Sequence, residues 1–303
     1  MATSASKYSD QPSPKQDTYA LGRDFRSASR LGHQHYLWHE TLGFHLHPLI
    51  ANTLPPVEPP RSDEKSPPPR IADIACGSAS WLRSVALSLP HTQLNGHDIS
   101  LAQCPPHQWL PVNITLGDWD LFSSPTEDML ERFDVVHTRL IFTIVEGQTE
   151  DEGLATARRV VSGLLKLLKP GGWLQWDELD VARSFLLRAD PAAEAPAPTM
   201  ERFLSVLKQK GKWVERLVEV MEETGMQEAR LWRYEERKDL AKQFFENNLM
   251  KDEEMANGAL RGTEEGRRLG DTVEKMWDES REGVVVCTPK VVVTATKPKG
   301  AMR

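Results

Sequence analysis

One short stretch constrains this chain more than any other: Ile71-Ala72-Asp73-Ile74-Ala75-Cys76-Gly77-Ser78-Ala79-Ser80-Trp81. Residues of strand character run into an acid, then into small residues around a glycine, then into an apolar periodic segment. That order reads as strand, tight turn and helix start. The turn brings bare backbone N–H groups close to a ligand, because Gly77 has no side chain to hold it off.

The rest of the chain has to house such a unit. From Arg70 onward the pattern alternates between strand and helix. Strands are expected at Arg70–Ala75, Leu94–Ile99, Asn113–Gly117, Phe133–Thr138 and Trp173–Glu178, with a sixth at Glu228–Arg233 and a seventh at Val291–Thr296. Helices are expected over Trp81–Leu89 and Asp151–Leu168, the second ending at Lys169-Pro170-Gly171-Gly172, where proline cannot continue it. Such alternation implies an α/β fold, a Rossmann-like seven-stranded and mostly parallel sheet with right-handed crossovers.

Around that core the organisation is coarser. Residues 1–17 are polar and read as a disordered tail, with neither a signal peptide nor a membrane span. Apolar residues Leu21, Phe25, Ala28, Leu31, Trp38 and Leu42 mark a helix from about Thr18 to Leu42, so residues 18–51 are expected to form an N-terminal helical lid. Seven prolines between Asn52 and Arg70 make residues 52–69 a linker. Residues 70–303 form the main domain. It carries helical insertions at about 190–225, interrupted at Gly211, and about 239–282.

The net charge of −7 argues against nucleic acid or an anionic membrane as partner. The three cysteines, Cys76, Cys104 and Cys287, include no CxxC pair. A disulfide framework or structural zinc is therefore not expected, and a reducing, cytoplasmic setting fits. Five of the nine histidines fall between His33 and His47. His35 and His39 stand at metal-pair spacing, but without an acidic or cysteine partner they read as packing groups, and no metal is expected. No feature sets the oligomeric state.

Two ligands suit a strand–glycine–helix turn. A dinucleotide wants G-x-G-x-x-G, and the three places here hold Ala75, Gly77 and Ser80. S-adenosylmethionine has no phosphate and needs a small-residue turn plus an acid for its ribose. Asp98, which ends the second strand 21 residues after Gly77, is that acid. Asp118-Trp119 at the end of the third strand can accept from an adenine amino group and flank the ring.

With these residues in place the chain resembles the class I S-adenosylmethionine-dependent methyltransferases, and within them fungal secondary-metabolite enzymes of the gliotoxin N-methyltransferase type. The resemblance rests on Arg30–Tyr36, Leu46-His47-Pro48, the turn at Ile71–Trp81, Gly96–Ser100, Pro105–Pro111, Phe133–Leu140 and, most specifically, Leu167–Glu178. It implies S-adenosyl-L-methionine as cofactor and methyl transfer to an O or N atom of a small-molecule acceptor. The alternative is a cofactor-binding regulator or a non-methylating cyclase on the same fold. The implied cofactor residues in the sheet are Asp73, Ala75, Cys76, Gly77, Asp98, Ile99, Asp118, Trp119, His137 and Arg139. In the lid they are Tyr19, Arg30 and Gln34, with Arg23 in support. The family usually has Gly-x-Gly where this chain has Gly77-Ser78-Ala79. A methyl group is therefore expected where the cofactor comes closest, and if position 79 needs positive φ, alanine costs about 1 kcal/mol there.

Methyl transfer is an in-line displacement, so alignment is the main task and a base helps only where the acceptor must lose a proton. Candidates for such a base are His137, beside Arg139, and Asp177, Glu178 and Asp180 at the end of the fifth strand.

Overall fold

The computed structural model describes residues 19–54, 67–145, 149–192 and 195–300. The expected tail at 1–17 and most of the linker at 52–69 lie outside the described residues. Helices α1 (Phe25–Leu42) and α2 (Pro48–Ala51) precede β1 (Arg70–Ile74), α3 (Ser80–Ser88), β2 (Gln93–Asp98), β3 (Ile114–Asp118) and β4 (Phe133–Arg139). There follow α4 (Phe142–Val145), α5 (Glu150–Leu167), β5 (Leu168–Leu179), β6 (Phe185–Arg188), α6 (Pro198–Lys210), α7 (Leu217–Glu223) and β7 (Gln227–Tyr234). The chain closes with α8 (Ala241–Asn257), α9 (Glu264–Arg281), β8 (Val284–Cys287) and β9 (Lys290–Thr296).

Seven strands form one sheet in the order β3-β2-β1-β4-β5-β9-β7. Pairs from β3 to β5 are parallel, and β9 alone runs against both its neighbours. This is the Rossmann-like, mostly parallel sheet, and all seven expected strands are in it. The order reverses between β1 and β4, and a crevice opens there at the carboxyl ends of the strands. The strands at the centre are buried on both faces, which is why they read as β-branched runs instead of alternating ones. One face packs on α5 and α7 through Val161, Leu164, Trp176 and Trp213; the other packs on α3 and α2 through Ile50, Ile71, Leu82 and Val85. Truncating any of these to alanine would cost roughly 2–5 kcal/mol.

Three local features differ from expectation. The first helix begins at Phe25 and not near Thr18, because Asp24 caps it by accepting from the N–H groups of Arg26 and Ser27 at 2.9 and 3.0 Å. Its buried face includes Ser27 and Arg30 while Phe25 is 72% exposed, so the apolar stripe is not the buried face at this end. Lys169–Gly172 is a bulge within β5: Phe133 pairs with Leu168 and Val135 already with Trp173. Asp134 anchors that bulge, its carboxylate accepting from Lys169 Nζ at 2.8 Å and Arg70 N at 2.8 Å. The small antiparallel pair of β6 and β8 was not anticipated; Val284–Cys287 is too short, and too close to β9, to stand out as a separate strand.

Candidate functional site

A cavity of about 800 Å³ sits at the carboxyl edge, over the point where the strand order reverses. Its floor is the turn after β1. Cys76 N donates to His97 O at 3.1 Å and Ala79 N to Cys76 O at 2.9 Å, so the chain reverses sharply. Ala75, Gly77 and Ala79 all have left-handed φ, of 58°, 54° and 56°. Leu140, just past β4, also has positive φ, at 55°. Such conformations cost non-glycine residues free energy and gather where a site dictates the backbone. The helix α1 closes on this turn: a Cβ at Gly77 would stand 3.1 Å from Leu31 Cδ1.

Asp98 ties the turn to β2. Its Oδ2 accepts from Gly77 N at 2.8 Å and its Oδ1 from Ser100 N at 3.1 Å. A carboxylate has about four acceptor positions, so two remain for hydroxyl donors. Burial pushes the Asp98 carboxyl above its usual value, and the bonds from Gly77 and Ser100 oppose this. These observations fit an adenosyl ribose at Asp98, beside a turn with room for the methionine part.

Behind the turn lies a buried charge network. His137 is fully buried, with Nδ1 2.7 Å from Asp73 Oδ1 and Nε2 3.1 Å from Asp177 Oδ2. Burial opposes charge on this ring, but Asp177 and Asp73 outweigh it and raise its pKa. Both ring nitrogens face carboxylate oxygens, an arrangement that favours an imidazolium able to donate to each. Burial likewise opposes charge on Asp177, yet Arg139 and His137 hold it below the usual value. Arg139 donates to the same Asp177 oxygen from Nε at 3.0 Å and Nη2 at 2.8 Å. Gln175 donates to Oδ1 at 2.9 Å and also to His45 O at 3.1 Å, and its own oxygen accepts from His47 N at 2.8 Å. The network thus anchors the segment after α1 to the sheet. Trp81 stacks on His137 with ring centres 3.9 Å apart and planes at 4°. That contact adds cation–π attraction to the imidazolium.

Twelve of the thirteen expected cofactor residues line the cavity: Tyr19, Arg30, Gln34, Asp73, Ala75, Cys76, Gly77, Asp98, Ile99, Trp119, His137 and Arg139. Asp118 does not; it is exposed, and the acid at the wall is Asp120, which accepts from Phe122 N at 2.9 Å. Arg30 is buried and its Nε donates to Glu254 at 2.9 Å. The Tyr19 ring lies under the Arg23 guanidinium at 4.4 Å. Among the base candidates, His137 has both nitrogens engaged and so cannot accept a proton. Glu178 lies outside the cavity wall, fully buried, and burial pushes its carboxyl up to about 8. Asp180 pairs with Arg233 at 3.1 Å.

The methyl group of Ala79 does not enter the cavity. The residue has the positive φ anticipated, but it is fully buried among Cys76, Leu82 and their neighbours, and is absent from the cavity wall. The left-handed backbone turns its Cβ into the core.

The far wall is Leu140–Ile144, Leu179 and, from α8, Asn248, Lys251 and Met255; the sequence marked the 239–282 insertion as helical but singled out none of these α8 positions. The α8 residues share one helix face, but nothing in their spacing separates that face from an ordinary core stripe. The imidazoles of His35 and His39 both stack on His45, at 5.5 and 4.3 Å. Burial pushes His35 down to about 3 and His45 to about 4, so both are neutral. No metal-holding cluster occurs among the described residues, and no described helix is long and apolar enough to cross a membrane.

No protein-family model matches the chain. It is 41% identical over 110 residues to the N-methyltransferase tcpN of Claviceps purpurea (strain 20.1), a match covering 36% of this chain and 37% of that protein. It is 35% identical over 106 residues to the N-methyltransferase verN of Clonostachys rogersoniana, covering 35% and 34%. To the methyltransferase grgD of a Penicillium species it is 28% identical over 177 residues, covering 55% and 54%. The chain thus spans about a third to a half of the length of these curated relatives. Among solved structures, phosphoethanolamine N-methyltransferase 2 of Haemonchus contortus in complex with S-adenosyl-L-methionine aligns with a TM-score of 0.46 at 15% identity, covering 90% of this chain and 57% of that one.

Proposed function

We propose that the protein is an S-adenosylmethionine-dependent methyltransferase acting on an O or N atom of a small metabolite. The observation that carries this reading is the joined turn and acid, Gly77 N to Asp98 Oδ2 at 2.8 Å, at the floor of a carboxyl-edge cavity. The similarity to named fungal N-methyltransferases supports it. Bound there, the cofactor would supply an electrophilic methyl group on sulfur. Asp98 would hold the ribose hydroxyls through its free lone pairs. Trp119, 8% exposed at the cavity wall, would flank the adenine, with Asp120 nearer than Asp118 to accept from its amino group. The network of Asp73, His137, Asp177 and Arg139 would fix the floor on which donor and acceptor are aligned, without giving or taking protons. Residues 18–51 would serve as the lid, residues 70–303 as the transferase domain, and the insertion near 239–282 as part of the acceptor wall. Three free cysteines agree with a reducing, cytoplasmic setting.

Two observations favour a second reading, a cofactor-binding regulator. The chain is 25% identical over 166 residues to the secondary metabolism regulator laeA of Coprinopsis cinerea. In this chain His137, at the cavity floor, is also locked between carboxylates. Calorimetry with S-adenosylmethionine on the wild type and Asp98→Ala tests the common premise: binding is expected in the first and a loss of at least about tenfold in the second. No binding by the wild type would sink both readings. Formation of S-adenosylhomocysteine with small amine, amide or phenol acceptors then separates enzyme from regulator.

A further inference from the structure

The segment ahead of α1 forms part of the cavity wall through Tyr19, Ala20, Leu21 and Arg23, yet it lies outside any helix or strand. Something other than backbone pairing must hold it there. The holding group comes from the far end of the chain. Glu254, near the end of α8, accepts from Gly22 N and from Ser27 Oγ (2.7 Å) on Oε1, and from Arg30 Nε (2.9 Å) on Oε2. One carboxylate thus takes three donors spread across residues 22 to 30. Two turns earlier on the same face of α8, Asn247 Nδ2 donates to Arg30 O at 3.0 Å. The approach is close: a Cβ at Gly22 would stand 3.3 Å from Glu254 Oε1 and 3.0 Å from Ser27 Oγ. On the neighbouring stripe of α8, Asn248, Lys251 and Met255 face the cavity. The segment and the inserted helix therefore meet above the site, where Glu254 joins residues 22 to 30 and Asn247 adds a bond to Arg30.

We infer that Glu254 is a latch, a positioning residue that closes the N-terminal segment over the cavity. Its consequence for a ligand rests on the proposed cofactor reading. The pair with Arg30 is nearly dry, the arginine side chain being 4% and the glutamate 17% exposed. Charge-assisted bonds of this kind are about twice as strong as neutral ones. Removing the carboxylate leaves Arg30 buried without this partner and frees Gly22 N and Ser27 Oγ at the same moment, so the segment opens as a unit. A ligand below would then leave faster.

Glu254→Ala and the gentler Glu254→Gln test this by two measurements. Backbone amide exchange over residues 20–30, without ligand, is expected to speed up by about tenfold or more in the alanine variant and less in the glutamine variant. Exchange in β1, β4 and β5 should stay unchanged. Release of S-adenosylmethionine, followed by tryptophan fluorescence in stopped flow, should accelerate by about tenfold, raising KM for the cofactor more than it lowers kcat. Unchanged exchange over residues 20–30 in both variants overturns the latch. Faster exchange with an unaltered release rate overturns its placement over the cofactor. A wild type that binds no S-adenosylmethionine sinks the cofactor reading alone, and exchange still decides the latch.

Discussion

The sharpest energetic consequence of the site lies in Asp177. Its side chain is fully buried and accepts from His137, from Arg139 twice and from Gln175, all within 3.1 Å. Replacing it by asparagine keeps the shape and removes the charge. The amide then turns an N–H₂ group toward at least one donor, leaving an imidazolium and a guanidinium short of their counter-ion. Breaking a buried pair in this way costs roughly 3–5 kcal/mol. For a chain of this size each kcal/mol lowers Tm by about 2–4 °C, so a fall of about 6–20 °C at pH 6 is expected by calorimetry. The pH dependence has a definite sign. His137 is raised above its ordinary 6.5, so its contribution is complete below that pH and is lost as pH rises through its folded value. Asp177 is lowered below its ordinary 3.8, so its contribution is present above that pH and is lost as pH falls through its folded value. The gap between wild type and Asp177→Asn should therefore be widest between these two ordinary values and narrow at alkaline pH. A Tm within about 2 °C of wild type at pH 6 would refute the charge assignment of the whole network.

Two further substitutions test neighbouring claims. Glu178, held up to about 8 by burial, weakens the fold as pH rises from its ordinary 4.5 toward that value. Glu178→Gln keeps one acceptor oxygen where Trp176 Nε1 and Leu179 N meet two, so its Tm should lie below wild type near pH 4.5 and gain on it steadily up to pH 8; parallel curves would show the carboxyl is not neutral. Ala79→Gly relieves about 1–2 kcal/mol of left-handed strain. It loses about 0.8 kcal/mol of methyl burial and about 0.4–1 kcal/mol of unfolded-state entropy. Stability should therefore change by less than about 1 kcal/mol, and cofactor affinity by less than about threefold because the methyl faces the core. A tenfold gain in affinity would place that methyl against the ligand after all.

The sheet was legible because it is written locally. Strands such as β1, β4 and β9 carry short apolar or β-branched runs, and breakers such as Pro90 and Lys169-Pro170-Gly171-Gly172 are strong. The floor of the cavity was legible for the same reason, since β1, its turn and the end of β2 follow one another within 30 residues. The roof was not. Glu254 meets Arg30 across 224 positions, and neither residue's neighbours signal the other. Arg30 was expected among the cofactor residues, and its partner Glu254 could come only from the folded chain. Asp118 failed differently. Asp118 and Asp120 flank Trp119, and sequence alone does not say which of two acids, two residues apart, meets the cavity once the strand ends.

The lock on His137 bears on what kind of transfer this cavity suits. A general base needs a free lone pair within reach of the acceptor, and the network offers a poor one: both His137 nitrogens face carboxylates, and Arg139 and His137 hold Asp177 below its usual value. His35, also at the wall, is neutral, but Ser84 Oγ lies 2.8 Å from its Nε2 and Arg139 Nη1 3.5 Å from its Nδ1. The far wall from Leu140 to Ile144 offers apolar side chains and one hydroxyl. Rate acceleration would then come from alignment and exclusion of water, which can supply several kcal/mol without moving a proton. An acceptor that is already nucleophilic as bound would suit such a site, and activity would fall with disorder of the floor before it fell with pH.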